Sequence, residues 1–484
     1  MTYEHGISVL ERERSTTSPT GVESGIQVVV GTAPIHLTAD PSAAVNVPIV
    51  AYNWNDAKRK LGYSEDFEKY TLCESMYASF ELFKVAPVVF INVLDPNIHK
   101  KTSNETVTFK KGVGTLSADG ILLSSIKVKN EDGSTEYTKN KDYTVDFNDS
   151  QKVIVTIIGG KILSSTTTLS VEFTALDPEA VTTDDIIGGY TIDTGKYSGM
   201  ELIRQVHPRL GISPTILLAP GWSHNPEVAA VLDAKSTKIS GNFNAENILD
   251  VDSSIVTKQE EVAKWKTDNG YIGKRSVVLW PKVKIGKHIL WFSAIQAALM
   301  AYTDYQNDNV PYKSPSNKKI PISATVLPTG EEIYLDQPQA NNLNAAGVVT
   351  GLNWNGWRSW GNNTAAYPDV TTAPERFISV RRVMDWWGNR FIKAFFDDVD
   401  DPTDFRLIES VVDRENINAN GFIGKGQIAG ASIEFREDMN SVDDILNGKI
   451  VFVQKIGAYS PTEQIVNILE FDPTYVIDSI FGGE

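Results

Sequence analysis

The chain of 484 residues has little of what usually carries recognisable chemistry. Its single cysteine, Cys73, can neither close an internal disulfide nor help build a thiolate zinc site. The six histidines are scattered, with no pair at metal-ligand spacing. Positive charge is also short: 45 Lys and Arg face 61 Asp and Glu, a net charge of −16. Such a chain lacks the positive field that phosphate backbones require, so nucleic acid is not expected as its partner. Long apolar runs are missing too. The longest, Ile289 to Tyr302, is interrupted by Ser293 and Gln296 and predicts a buried helix rather than a membrane span. The opening MTYEHGISVLERERSTT shows no apolar signal region, so a cytoplasmic product with no membrane contact is expected.

Catalytic signatures are absent as well. No G-x-x-x-x-G-K-[ST], H-E-x-x-H or G-x-S-x-G occurs. The glycines of Gly421 to Gly430 fall at the wrong offsets for a dinucleotide turn and predict a loop. The acidic run Asp397 to Asp401 lacks the glycine and distal glutamate of a calcium loop and predicts a solvated helix end. Trp354, Trp357 and Trp360 suit anchors at a domain junction. No catalytic residue, metal or cofactor is therefore expected.

What the chain does have is patterning. Apolar runs such as Ile26–Val30, Pro87–Leu94 and 275–280 alternate with helical periodicity over Tyr70–Lys84, 198–210, 225–238 and 286–306. Strands joined by helical crossovers predict a mainly parallel sheet covered on both faces. Residues 100–187 break the pattern with short alternating runs and turn signals, which predicts an inserted β-sandwich. Beyond Pro368 a helix over 376–396 and strands over 430–436 and 449–455 predict an α+β unit. The fold class is thus α/β and multi-domain. An arm and linker (1–25) precede an open α/β core (26–99 and 188–367), which carries the insert at 100–187. A carboxyl-terminal α+β domain (368–456) and a second arm (457–484) follow.

Two short stretches carry a resemblance. Leu343-Asn-Ala-Ala-Gly347-Val-Val-Thr350 followed by Gly356-Trp-Arg-Ser-Trp360-Gly-Asn-Asn-Thr364 resembles the tail sheath proteins of contractile phages and phage-tail-like bacteriocins, the P2-like group most of all. Asn363 stands where that group usually has arginine. Gly6-Ile7-Ser8-Val9, Val29 to Ala33, and Gly448 to Val453 through Pro461-Thr-Glu463 resemble other segments of the family in the same order. The resemblance implies a structural subunit, not an enzyme. Such subunits stack as six-fold rings around an inner tube and contract to drive it through a target envelope. Implied partners are neighbouring sheath subunits, the tube protein, and baseplate and tail-terminator proteins. The implied location is a virion tail or tail-like particle assembled in the bacterial host cytoplasm.

In that family the terminal arms pair with neighbouring subunits. A lone strand has unpaired N–H and C=O groups that another chain's sheet edge can satisfy. Gly6, Ile7, Val9 and Leu10 are the expected amino-terminal arm contacts, and Ile465, Val466, Ile468, Leu469 and Phe471 the carboxyl-terminal ones. Ile433, Phe435, Ile450 and Phe452 are candidates for the receiving sheet. Hinges are expected at 15–20 and at Gly457–Pro461. Arg382 and Lys393 share one helix face and are candidates for a tube-facing surface, an ordinary solvated face being the alternative. An α/β enzyme with an accessory sandwich, or a glycan-binding surface protein, is the competing reading.

Overall fold

The computed structural model describes residues 20–21, 24–163 and 166–482. Its centre is an eight-stranded sheet. The β-branched runs Gln27–Gly31 (β1), Pro48–Ala51 (β2) and Val88–Asn92 (β3) form one half. Ile216–Leu218 (β4), Glu246–Asp250 (β5), Ser276–Leu279 (β6), Val348–Asn353 (β7) and Trp357–Trp360 (β8) form the other. The order is β8-β7-β6-β5-β4-β1-β3-β2. The six central strands run parallel and both edge strands are antiparallel. β1, β3, β4, β5 and β6 are buried along their whole length, as strands covered by helices on both faces must be.

The apolar run recognised at Ile289 becomes the buried helix α1, Phe292–Tyr305, in which every residue from Phe292 to Ala301 is inaccessible. The predicted helix start at 286 differs, because Lys282–Ile285 and His288–Leu290 turn as a hairpin first. Among the described residues no helix is long and apolar enough to cross a membrane.

The insert is two antiparallel three-stranded sheets. Lys100–Thr108, Thr168–Leu176 and Lys127–Lys129 make one, and Val113–Thr115, Val153–Ile157 and Tyr143–Phe147 the other. They share a core of their own around Val107, Val128, Tyr143, Val155, Val171 and Phe173. Val181 and Ile186 instead pack into the main core, so the chain has rejoined the α/β body before residue 187.

The carboxyl-terminal domain is built from α2 (Ile378–Phe395), α3 (Phe405–Gly424), the antiparallel hairpin β9 (Gly430–Phe435) and β10 (Phe452–Gly457), and the short helix α4 (Val442–Leu446) between those strands. Residues 461–472 join no element of the chain, and Pro473–Phe481 forms a last helix, α5. The sequence suggested a strand and a loose tail there.

Candidate assembly interface

The candidate receiving sheet is the hairpin β9–β10, and side-chain amides set which of its edges is open. In an antiparallel pair, a residue's N–H and C=O point together toward or away from the partner strand. Ile433 on β9 donates its N–H to Asn416 Oδ1 at 3.0 Å and accepts from Asn416 Nδ2 at 3.2 Å. Its polar groups therefore face away from β10, and an asparagine of α3 fills the middle of that edge. The opposed residue is Gln454. By the same alternation, Phe452, Gln454 and Ile456 on β10 point their N–H and C=O outward. Among the described residues these groups have no partner. At the foot of the hairpin, Asn440 bridges the strands where the ladder ends. Its Nδ2 donates to Arg436 O and Val451 O, both at 2.8 Å, and its Oδ1 accepts from Val451 N at 2.7 Å.

Of the predicted receiving residues, Ile433 is buried against Phe395 and Val411. Phe435 and Phe452 are half-buried and meet edge to face, their ring centroids 6.1 Å apart. Ile450 lies outside the sheet, because Asn440 holds the adjoining Val451 beyond the ladder and β10 begins only at Phe452.

The predicted carboxyl-terminal arm residues come together as one uncovered segment. Ile465, Val466, Ile468, Leu469 and Phe471 are 69–88% exposed, five apolar side chains left bare within one short segment. Gly6, Ile7, Val9 and Leu10 lie outside the described residues. Thr20–Gly21 pairs in parallel with Val85–Ala86, and Ser24 Oγ donates to Asp304 Oδ2 at 3.0 Å. The chain is therefore already fixed to the body at Thr20.

The root of the carboxyl-terminal arm is fixed too. Arg376 pairs with Glu463, donates Nε to Asn363 Oδ1 at 2.9 Å, and lies 4.5 Å over the rings of Tyr367 and Phe377. Asn363, the departure from the P2-like pattern, so serves as acceptor for a guanidinium delivered from further along the chain. The pairing lies beyond the hinge predicted at Gly457–Pro461, and from Gln464 to Phe471 no hydrogen bond or ion pair among the described residues holds the chain to the body. It closes one side of an open cleft of about 1100 Å3 between the arm root and the Trp360 face of the body.

Arg382 corrects an expectation. It shows 2% of its side chain and does not belong to any surface. Its guanidinium forks onto Asp304 of α1, with Nη1 at 2.9 Å from Oδ1, and donates to Ser24 O at 3.3 Å. Its Nε stands 3.5 Å from Glu246 Oε2. Hydrophobic patterning put it on a polar face, but that face of α2 is pressed against the α/β core. Burial pushes Glu246 up to about 8, the nearby Arg382 charge opposing it, and burial likewise raises Asp304. Lys393 is exposed on α2, close enough to His207 for its charge, after burial, to lower that imidazole.

α2 also reaches outward. Arg390 pairs with Glu415 of α3, whose Oε1 accepts from Gln454 Nε2 of β10 at 2.7 Å. Arg275 beside the core sheet forks onto Asp385 of α2 at 2.7 and 2.8 Å, with Arg381 on the same carboxylate. Ion pairs thus tie α2 to the core through Arg382 and Asp385 and to α3 through Arg390 and Glu415, and Glu415 reaches β10 by its hydrogen bond with Gln454. Arg376, Glu415, Asn416 and Asn440 had no sequence signal that singled them out, whereas Glu463 stood in the P-x-E segment.

The strand order reverses between β1 and β4, where open α/β sheets bind ligands at their carboxyl ends. Here that crevice is filled. A Cβ on Gly31 would stand 2.2 Å from Thr71 Oγ1, and one on Gly221 would meet Thr71 Cγ2 at 2.8 Å and Trp291 Nε1 at 3.5 Å. Behind these contacts lie buried Glu74 and Asp250. Among the described residues no group of His, Cys, Asp or Glu is arranged to hold a metal ion.

Similarity to known proteins agrees with an assembly surface rather than a pocket. The tail sheath protein of Burkholderia phage BcepMu is 28% identical over 499 residues, covering 99% of both chains. The chain is a homologue of contractile-tail sheath proteins. The tail sheath protein of Escherichia phage P2 is 24% identical over 301 residues, 59% of this chain and 70% of that one. No family model matches the sequence. In fold, this sheath homologue is similar to a chain of the 6-fold symmetrised anti-feeding prophage baseplate, with TM-score 0.58 and 14% identity over 98% of its length and 100% of that chain. It is equally similar, with TM-score 0.58 and 11% identity over 98% and 99% of the two chains, to the PVC sheath complex of an extracellular contractile injection system in the contracted state.

Proposed function

We propose that the chain polymerises as stacked hexameric rings around an inner tail tube and contracts to drive that tube through a target envelope. The observation that carries this reading is a complementary pair within one chain. Among the described residues, β10 offers an unpaired outer edge at Phe452, Gln454 and Ile456, and residues 464–471 offer apolar side chains that nothing else covers. Adding one to the other in the next copy satisfies both. Such a contact is heterologous and does not close on itself, so it propagates into a helical assembly. The amino-terminal arm residues Gly6, Ile7, Val9 and Leu10 would add to the same mesh.

The ion pairs of α2, Arg382 with Asp304 on the core side and Arg390 with Glu415 on the α3 side, support movement of each subunit as one rigid body, with flexing confined to chain outside Thr20 and Glu463. The filled crevice at the strand-order reversal favours this reading over an α/β enzyme, which needs that space for a ligand. Tube, baseplate and terminator proteins would be the other partners, with Lys393 left as the tube-facing candidate. The acidic balance suits an outer layer that does not touch DNA.

Deleting residues 464–484 tests the proposal. The truncated chain is expected to stay folded and monomeric by size-exclusion chromatography, and to give no tubes in negative-stain micrographs under conditions where the full chain does. Tubes of full length from the truncated chain would overturn it.

A further inference from the structure

The last helix, α5, is unaccounted for by strand pairing alone. Val476, Ile477, Ile480 and Phe481 share one face at helical spacing, with Tyr475, Asp478 and Ser479 away from it, and all four apolar side chains are exposed. Among the described residues none covers that stripe. Asp472 alone separates α5 from the segment proposed above to add to β10, and its side chain caps the helix by accepting from Thr474 N at 2.9 Å. Wherever the strand ends, the helix must land within a few residues' reach.

The two ends of β10 differ. At its Gly457 end the chain itself continues through Ala458 to the arm root at Glu463, which occupies the approach. At its Phe452 end stands α4, placed there by Asn440, which holds Val451 by both N and O. α4 exposes Val442 and Leu446, one turn apart on one face, with Met439 exposed just before them. These are apolar side chains on an otherwise acidic element that includes Asp443 and Asp444.

We propose that α5 docks through Val476, Ile477, Ile480 and Phe481 onto Val442, Leu446 and Met439 of a second copy, and that segment 464–471 therefore runs antiparallel to β10. This rests on the strand-addition reading. The occupant is another copy because each chain carries one of each apolar face, joined by covalent continuity to one of each strand edge. A heterologous polymer then covers every such face except those at its two ends. α5 carries a single charge, Asp478, so an ionic partner has little to hold. Of the arm side chains, Ile465, Leu469 and Phe471 fall on one face of an added strand and Val466 and Ile468 on the other, a strand covered on both sides.

The test is a cysteine pair in the full chain, Leu446→Cys with Ile480→Cys, oxidised after assembly. Cys73 is fully buried and does not compete. A ladder of covalent multimers from the double variant, absent from either single variant, is the expected result. Hydrogen exchange of assembled wild-type chain is measured alongside, so that a variant defective in assembly does not decide the matter. Amides of α4, α5 and Gln454 are expected to slow by roughly tenfold or more on assembly. Slowing at Gln454 with neither a ladder nor slowing in α4 overturns the helix docking and leaves strand addition standing. No slowing at Gln454 overturns both. Cross-linking of residue 480 to the tube protein, or exchange protection of α5 by lipid vesicles alone, would overturn the choice of occupant.

Discussion

Glu463, at the root of the carboxyl-terminal arm, is held by Arg376, which Asn363 and the rings of Tyr367 and Phe377 orient from behind. The pair is partly exposed, so it contributes little to stability. Exposed ion pairs typically give about 0.2–1 kcal/mol. Its effect is on where the arm begins. With Glu463 pinned, residues 457–463 follow the body, and from Gln464 to Phe471 no hydrogen bond or ion pair among the described residues holds the chain to it.

Glu463→Ala should therefore leave the melting temperature within about 2 °C of wild type, yet speed limited chymotryptic cleavage after Tyr459 several-fold. Unchanged cleavage kinetics would show that the pair does not hold the arm root. Arg376→Lys should behave similarly, because an ammonium reproduces one contact of the fork but not the pair together with Asn363.

Arg382 makes the opposite case. Asp304 and Glu246 are fully buried around it, and removing one partner of a buried pair typically costs about 3–5 kcal/mol. Arg382→Met should destabilise the chain by about that much in chemical denaturation, and Lys393→Ala by no more than about 0.5 kcal/mol. If Lys393→Ala instead impairs tube-dependent assembly at unchanged stability, the tube-facing proposal is supported. Equal stability loss in the two variants would refute the burial argument.

The two sites were legible to different degrees for a physical reason. Fully buried strands such as β1 and β3 consist of β-branched residues and announce themselves. β5 is equally buried, but its sequence Glu246-Asn-Ile-Leu-Asp250 is flanked by acids and does not read as a core strand. α3 was missed because its buried residues are Val411, Glu415 and Ala419, a stripe with a carboxylate in its middle, and because its second half is rich in asparagine and glycine. Arg382 was misread because a helical wheel separates polar from apolar faces. α2 has the core against one face and α3 against another, so its polar face is buried as well. Segment 464–471 stood out because its apolar side chains have no local sheet to join. Asn416 and Asn440 act through backbone groups distant in sequence, and no local pattern records that.

Glu246 gives the chain a pH dependence of definite sign. Burial raises its carboxyl from 4.5 to about 8, so the folded state binds more protons than the unfolded state between those values. Stability must then fall as pH rises through that window. Glu74, in a separate buried site beneath Trp291, is likewise raised to about 8 by burial and adds the same sign. Melting temperatures should decline between pH 6.5 and 8, above the range in which His36, His207 and His224, all lowered by burial, act with the opposite sign. Glu246→Gln, which keeps the shape without the charge, should flatten part of that decline, leaving the Glu74 contribution. An identical slope in the variant would exclude Glu246 as a source.

The hairpin has one free edge because Asn416 closes the middle of the other, and that asymmetry is testable. Ile433 is buried, so Asn416→Ala would leave its N–H and C=O without partners at a cost of about 1–3 kcal/mol. The loss in stability alone would not distinguish an edge cap from any other buried hydrogen bond. The distinguishing consequence is association. A second open edge is a second template for strand addition, and it is not one that the arm geometry reserves for the next subunit. Asn416→Ala should therefore form irregular aggregates, seen as rising light scattering, in chain that has also lost residues 464–484 and cannot assemble through its own arm. Asn440→Ala removes a bridge between the two strands rather than a cap on an edge. It should lower stability without that scattering, because neither outer edge gains a free group. Equal scattering from both variants would mean that aggregation follows from destabilisation alone, and that Asn416 does not guard the edge.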